Sequence, residues 1–423
     1  MSLLRRAKDP VLWGVVAAGA LVRAVYWLTK WNTNLKLNDS MYYSGQAYQL
    51  GQGRWFRELF VDQPGAEHGP LTSLLMAPVS WMDDQDVRVR LQRLVTVVTG
   101  IALVWVIGRL GTRVAGRRAG LMAAAVAAVY PNLWMNDGLV MSESISMLLV
   151  ALALWAAWNA ASSGSTRDLV LLGVALGLGT LARSEVALMA VLLVVWVGLV
   201  LRRHGGAWRR AALAWAVCGA VLAPWVGFNL ARFEEPVLLT TNDGTTLLGA
   251  NCPETYSGEE LGGWFVFCVV KEPEYRMEEE PSVRSVRQRD IALHFMWAHK
   301  RELPKVILAR VGRTLDLYGL DSLVHQDVGE DRPRWASWAG IGMFWCLAVM
   351  AVFGARRVGR RLRSVLLIPV AVSLATTVLF YGGHRIRSSA EPTLVVLAAV
   401  AVTAVLEARR YGGAASRSER LPT

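Results

Sequence analysis

Residues 143–166 read ESISMLLVALALWAAWNAASSGST, one acidic residue followed by 23 without charge. At about 1.5 Å of rise per helical residue such a run crosses a hydrocarbon core of roughly 30 Å. In lipid a crossing segment must satisfy its own backbone hydrogen bonds, so the run is read as a membrane-spanning helix. Comparable runs recur on both sides, at about 11–29, 91–109, 119–135, 169–182, 186–201, 211–229, 335–354, 364–381 and 392–407. The expected fold class is therefore an all-α polytopic membrane protein with about ten transmembrane helices. Composition agrees: of 423 residues 54% are hydrophobic and only 18% charged, which excludes a disordered or fibrous chain and falls below the charged quarter of an ordinary soluble enzyme.

The net charge of +12 would suit a nucleic-acid partner if it formed one surface. It does not. With ten spans, the segments carrying Arg5, Arg6, Lys8, Arg109, Arg113, Arg117, Arg118, Arg167, Arg202, Arg203, Arg209, Arg210, the 356–363 arginines and Arg409, Arg410, Arg417 and Arg420 fall on one side. That side holds 21 basic and four acidic residues, against 24 and 29 elsewhere. By the positive-inside tendency it is the cytoplasm, with both termini in it, and no nucleic-acid partner is expected. The first run carries Arg23 and no clear small-residue cleavage site, so it is read as an uncleaved anchor in the cell membrane.

Two segments on the outer side, about 30–90 and 230–334, are too long to be connectors, and long structured loops usually carry function. The chain divides into an N-terminal transmembrane module (1–229) containing the first of these loops, an extracytoplasmic region (230–334) suited to acceptor recognition, and C-terminal helices with a cytoplasmic tail (335–423). Cys252 and Cys268 share the second loop, where they form either a disulfide or two free thiols.

Polar residues cluster on this outer face. Residues 37–50, LNDSMYYSGQAYQL, place Asp39 where the chain leaves the bilayer, with Tyr42, Tyr43 and Tyr48 suited to an interfacial helix. Residues 64–78, PGAEHGPLTSLLMAP, set Glu67 and His68 before a Gly-Pro turn and a short apolar helix, about 71–82, that lies along the interface. Glu143 opens its span. It is either a helix-terminal carboxylate favoured by the dipole or a functional acid at membrane depth. Arg183 with Glu185, and His384, Arg385 and Arg387 with Glu391, put arginines on the outer side against the charge tendency. Mutual Arg–Glu pairing or a lipid-linked phosphate, which guanidinium meets bidentately, accounts for them.

Taken together these motifs resemble the polyprenol-phosphate-dependent GT-C glycosyltransferases, in particular the branch of lipid A aminoarabinose transferases and protein O-mannosyltransferases. The resemblance covers most of the first 240 residues and the HRIRSSAEP stretch at 384–392. It implies a GT-C-like bundle with interfacial helices in the first outer loop. It puts the catalytic Asp at Asp39, the Glu and following basic residue before the Pro-Leu helix start at Glu67 and His68, and the fourth-span acid at Glu143. The chain departs from the pattern with Ser40, Tyr42 and Gly69-Pro70-Leu71. Phosphate binding then passes to His68, Arg183, Arg385 or Arg387, or to Lys36, Arg54 or Arg57, with Tyr42 and Tyr43 beside the substrate. The expected reaction moves a sugar from a polyprenyl-phosphate donor to an acceptor hydroxyl on a lipid, glycan or protein, outside the cytoplasm. Asp39 would be general base, His68 and Arg385/Arg387 would take up the phosphate charge, and Glu67 and Glu143 would orient hydroxyls, with inversion at the anomeric carbon. No cofactor is implied, and a divalent metal is compatible with three carboxylates without being required. The alternative is a transporter or flippase of a lipid-linked sugar. The ionisable groups cluster at one face and no repeat relates the halves, which favours surface chemistry over alternating access.

Overall fold

A computed structural model describes residues 9–36, 39–202, 206–272, 276 and 278–418. Arg5, Arg6, Lys8, Arg203 and Arg420 of the basic side lie outside them. All ten apolar runs are helical. Among the described residues seven helices are long and apolar enough to cross a membrane: Pro10–Thr29, Gln85–Val129, Glu143–Ser163, Ala207–Leu230, Arg334–Arg357, Arg360–Leu379 and His384–Ala408. Thr166–Ala182 and Val186–Leu201 are shorter, with 17 and 16 residues. The 45-residue helix Gln85–Val129 contains two of the expected runs and breaks between them at Ala115 and Gly116. Gly116 has φ +85°, a conformation that costs a residue with a side chain about 1 kcal/mol or more, so glycine marks where the chain reverses between two limbs.

Local chemistry sets the ends. Asp9 accepts from the backbone N–H groups of Val11 and Leu12, and Pro10 occupies the first helical position, where no N–H is needed. Glu143–Ser163 ends on Gly164 in the left-handed region. The first helix packs on Gln85–Val129, Glu143–Ser163 on Thr166–Ala182, and Arg334–Arg357 on the last helix. Their shared core runs through Leu103, Ile107, Val150, Leu154, Leu172, Leu193, Val197 and Val396, all almost fully buried.

One ion pair inside this core is structural. Arg23 donates from Nε to Asp137 Oδ2 at 2.6 Å, Ser144 donates to the same carboxylate at 2.5 Å, and both partners are fully buried. The pair ties the turn between Val129 and Glu143 to the first helix. Replacing Arg23 with leucine strands the Asp137 carboxylate, and the expected cost is about 3–5 kcal/mol. Thermal unfolding of detergent-purified protein measures it, and a shift no larger than that of a surface variant would contradict the assignment.

Among the described residues there is no strand, only an isolated bridge between Arg57 and Pro64. The first outer segment folds as Asp39–Gly51 and Leu71–Met76, the latter continued by a 3-10 turn over Ala77–Val79. Asp39–Gly51 turns Tyr42, Tyr43 and Ala47 into protein against Met76 and Val140, rather than presenting them to lipid. The second outer segment carries Asn242–Ala250, Phe267–Val270, Pro281–Ala298, Leu303–Thr314 and Leu320–Gly329. Cys252 and Cys268 are joined by a disulfide.

Candidate active site

Five chain segments bring their ionisable side chains to one place at one end of the helical bundle. Asp39 is the first residue of its short helix, Glu67 and His68 precede Leu71–Met76, Glu143 is the first residue of its span, Arg183 follows Thr166–Ala182, and Arg385 lies in the short turn His384–Arg387. Each is a helix terminus, where backbone polar groups are unpaired and side chains of adjoining elements converge.

Arg385 is the hub. Its Nη2 donates to Asp39 at 2.6 Å, its Nε to Glu143 at 2.6 Å and its Nη1 to Glu330 at 3.1 Å. Arg183 donates to Glu143 at 3.0 Å and to Glu185 at 2.5 Å. His68 Nε2 stands 3.5 Å from Asp39 and 3.8 Å from Glu67. Asp39, Tyr43, Glu67, His68, Arg183 and Arg385 line one cavity of about 340 Å³, which is lined as well by Asn242, Asp243, Thr246 and Tyr381.

The remaining expected residues sit elsewhere. Glu143 is fully buried behind the cavity and reaches it through Arg183 and Arg385. Tyr42 is a buried support: its hydroxyl accepts from the Glu67 backbone N–H at 3.0 Å. Arg387 belongs to a separate buried cluster, donating to Asp316 at 2.8 Å, Glu391 at 2.8 Å and the Thr314 carbonyl at 2.7 Å. Lys36 and Arg54 are exposed and Arg57 pairs with Asp62, all three away from the cavity lining.

The turn bearing Arg385 is clamped from the second outer segment. His384 lies between Asp327, 3.0 Å from Nδ1, and Asp316, 2.7 Å from Nε2. A ring with a carboxylate at each nitrogen donates from both. Burial pushes the Asp327 carboxyl up, but the His384 charge and Arg332 outweigh it and hold it at about 2. Gly69 supplies the other close approach. A Cβ there would lie 2.3 Å from the Leu181 carbonyl oxygen, so the loop carrying Glu67 and His68 can lie against the end of Thr166–Ala182. A bulkier residue at 69 is excluded by the same contact, which gives the departure from the Pro-Pro-Leu pattern a steric basis.

Burial alone would raise the Asp39 carboxyl, but Arg385 and His68 hold it well below the usual range. Burial opposes charge on His68, yet Asp39 and then Glu67 leave its pKa raised. Glu67 is raised by burial against the neutralising effect of His68, with the Asp39 charge adding to the rise. At neutral pH Asp39 is thus a carboxylate flanked by positive groups. The His68–Asp39 pairing has a definite pH signature. A raised folded-state pKa gives stability that is complete below the ordinary value of about 6.5 and is lost as pH climbs through the raised one. Melting temperature should therefore decline on the alkaline side in the parent and lose that component in His68→Gln; identical pH profiles would refute it.

Among the described residues, the only cluster of three potential metal ligands close enough to share an ion is Cys252, Glu254 and Cys268, and the two cysteines are consumed in the disulfide.

Several participants carry no sequence signal. Glu330 sits among exposed-looking loop acids, and Asn242-Asp243-Gly244 reads only as a turn. Their position facing Arg385 and the cavity is a product of how the second outer segment folds back.

Residues 67–228 match the profile of the family described as dolichyl-phosphate-mannose-protein mannosyltransferase. In structure the chain is similar to the archaeal oligosaccharyltransferase AglB from Archaeoglobus fulgidus, solved with an inhibitory peptide and a dolichol-phosphate. The identity is 15%, the match covers 97% of this chain and 52% of that one, and the TM-score is 0.60. The apo form of the Archaeoglobus fulgidus oligosaccharyltransferase matches at 13% identity over 98% and 53% of the two chains, also with a TM-score of 0.60. ArnT from Cupriavidus metallidurans, solved with undecaprenyl phosphate, matches at 14% identity over 92% and 78%, with a TM-score of 0.46. No curated protein matches in sequence. The chain spans about half the length of the oligosaccharyltransferases it matches. At these identities the likeness to the oligosaccharyltransferases shows a shared fold, an all-α membrane bundle.

Proposed function

We propose that the helical bundle described above is a membrane glycosyltransferase that transfers a sugar from a polyprenyl-phosphate donor to an acceptor hydroxyl on the extracytoplasmic face. The observation that carries this reading is the shared guanidinium of Arg385, which joins Asp39, Glu143 and Glu330 at the wall of the cavity. Three carboxylates around one arginine engage all of its nitrogens. A donor phosphate entering there competes for the same N–H groups and for His68. Each contact it takes from Asp39 removes a positive neighbour and makes that carboxylate a better base.

The reaction then needs few parts. The acceptor hydroxyl oxygen forms a bond to the anomeric carbon, its proton passes to Asp39, and the bond from that carbon to the phosphate oxygen breaks with its electron pair leaving on the phosphate. Arg385 and His68 stabilise that developing charge. Glu67, lining the same cavity, orients sugar or acceptor hydroxyls. Glu143 acts as a positioning residue, because it is buried and holds Arg183 and Arg385. A single displacement inverts the anomeric centre. Acceptor recognition is assigned to Asn242, Asp243 and Thr246, which face the cavity from the second outer segment.

Two experiments test the reading. Mass spectrometry of lipid co-purifying with the protein should find a polyprenyl-phosphate sugar, and transfer of that sugar to water or an added acceptor should follow mixing. Failure to bind or turn over any polyprenyl-phosphate sugar would reject the activity. For orientation, a cysteine replacing the exposed Leu238 should react with a membrane-impermeant maleimide in intact cells; labelling only after lysis would reverse the assignment of sides.

A further inference from the structure

On the far side of helix Arg360–Leu379 from the active-site cavity, three helices part. Arg334–Arg357, Arg360–Leu379 and the last helix leave between them a groove of about 470 Å³ whose walls are Ala348, Ala351, Val352, Leu367, Val370 and Leu394. Such a volume is in the range of sites that enclose a small ligand. The two ends differ in charge. At the outer end Arg387 is paired with Asp316 and Glu391 and covered by the Phe344 ring at 3.5 Å, so its charge is already compensated. At the other end Arg356 and Arg363 line the groove from two different helices, and among the described residues neither pairs with a carboxylate. Two guanidiniums closing an apolar slot between spans, without a carboxylate partner among the described residues, match an anionic headgroup with its apolar chains laid into the slot, and such basic pockets between helices are a recognised mode of lipid recognition. Arg387 at the opposite end is already engaged by two carboxylates.

We propose that this groove is a binding site for an anionic glycerophospholipid of the cytoplasmic leaflet, with its phosphate held by Arg356 and Arg363 and an acyl chain along Ala351 and Leu367. The site rests on the assignment of the basic side as cytoplasmic and not on the transfer reaction. It differs from a donor-lipid site in polarity: a donor presents its phosphate at the Asp39–Arg385 end, whereas this lipid presents it at the opposite face.

The test uses the full chain purified in detergent. Retained lipid is identified by mass spectrometry, and melting temperature is measured with added phosphatidylglycerol or phosphatidylcholine. The parent should retain anionic phospholipid and be stabilised by phosphatidylglycerol more than by phosphatidylcholine. In the Arg356→Ala/Arg363→Ala variant the phosphatidylglycerol affinity should fall about thirtyfold, from roughly 1 kcal/mol per arginine. Arg357→Ala/Arg360→Ala removes two exposed arginines of the same segment that do not line the groove, and should leave it unchanged. Ala351→Trp, filling the slot, should abolish retention. Equal stabilisation by both lipids, or equal losses in the two double variants, would reduce the effect to general surface charge and overturn the proposal. Retention of a polyprenyl phosphate that Ala351→Trp removes and Arg356→Ala/Arg363→Ala does not would make the groove a donor-tail site and also overturn it. Because the readout is lipid retention, a protein inactive in sugar transfer still decides it.

Discussion

Asp39→Asn is expected to lower sugar transfer about 10²–10⁴-fold, the usual contribution of a positioned general base. Asparagine keeps the size of the side chain and removes the charge that Arg385 and His68 face. Those two cations then have one acceptor fewer, so donor binding should be unchanged or tighter while turnover collapses. That split separates loss of a base from loss of a fold. Single-turnover rates and donor affinity, measured on a variant with a parental melting temperature, give the answer. Turnover within tenfold of the parent would reject Asp39 as the base.

Arg385→Ala is expected to be costly in two ways. It leaves Asp39, Glu143 and Glu330 around an emptied position, of which only Glu143 is fully buried, so the cost should fall below the about 3–5 kcal/mol of a fully buried pair. It also removes the proposed partner of the donor phosphate. Arg385→Lys separates these effects. A lysine restores one charge but not the planar fork that reaches three carboxylates from three nitrogens. The lysine variant should recover much of the folding stability while donor affinity stays weakened at least tenfold. A lysine variant with parental donor affinity would move the phosphate site to Arg183 or His68.

The site is an internal salt-bridge network. Its members are held by elements from both outer segments: His384 by Asp316 and Asp327, Glu67 by the Tyr42 hydroxyl, and the Glu67–His68 loop by the close approach at Gly69. Substitution of Asp327, which does not line the cavity, should therefore disturb transfer without touching substrate, through the placing of Arg385.

Much of this molecule is readable along the chain. Hydrophobic runs long enough to cross a bilayer have one stable backbone state in lipid, so the helices follow directly from composition. The break at Gly116 is announced by Arg117 and Arg118 within a 45-residue apolar stretch. Asp39, Glu67, His68, Arg183 and Arg385 stand out because ionisable groups beside long apolar runs are costly unless used or paired. Glu143 stood between cap and functional acid. It opens its helix, yet its contacts with Arg183 and Arg385 are what distinguish it from an ordinary terminal carboxylate.

What the chain alone determined, then, is the set of apolar helical runs and the list of charged residues near their ends, because burial in lipid is a local, additive property of each run. Only the tertiary structure decided which of those charges meet. Arg385 and Arg387 are two residues apart, yet on one short helical turn they point to different sides, one to Asp39 and Glu143, the other to Asp316 and Glu391. Glu330 and Asn242 reach the site from a segment whose path is set by the disulfide, the buried arginines and the packing of its helices. Ion pairing acts over a few ångströms in space and is indifferent to separation in sequence, so its partners become visible only when the chain is folded.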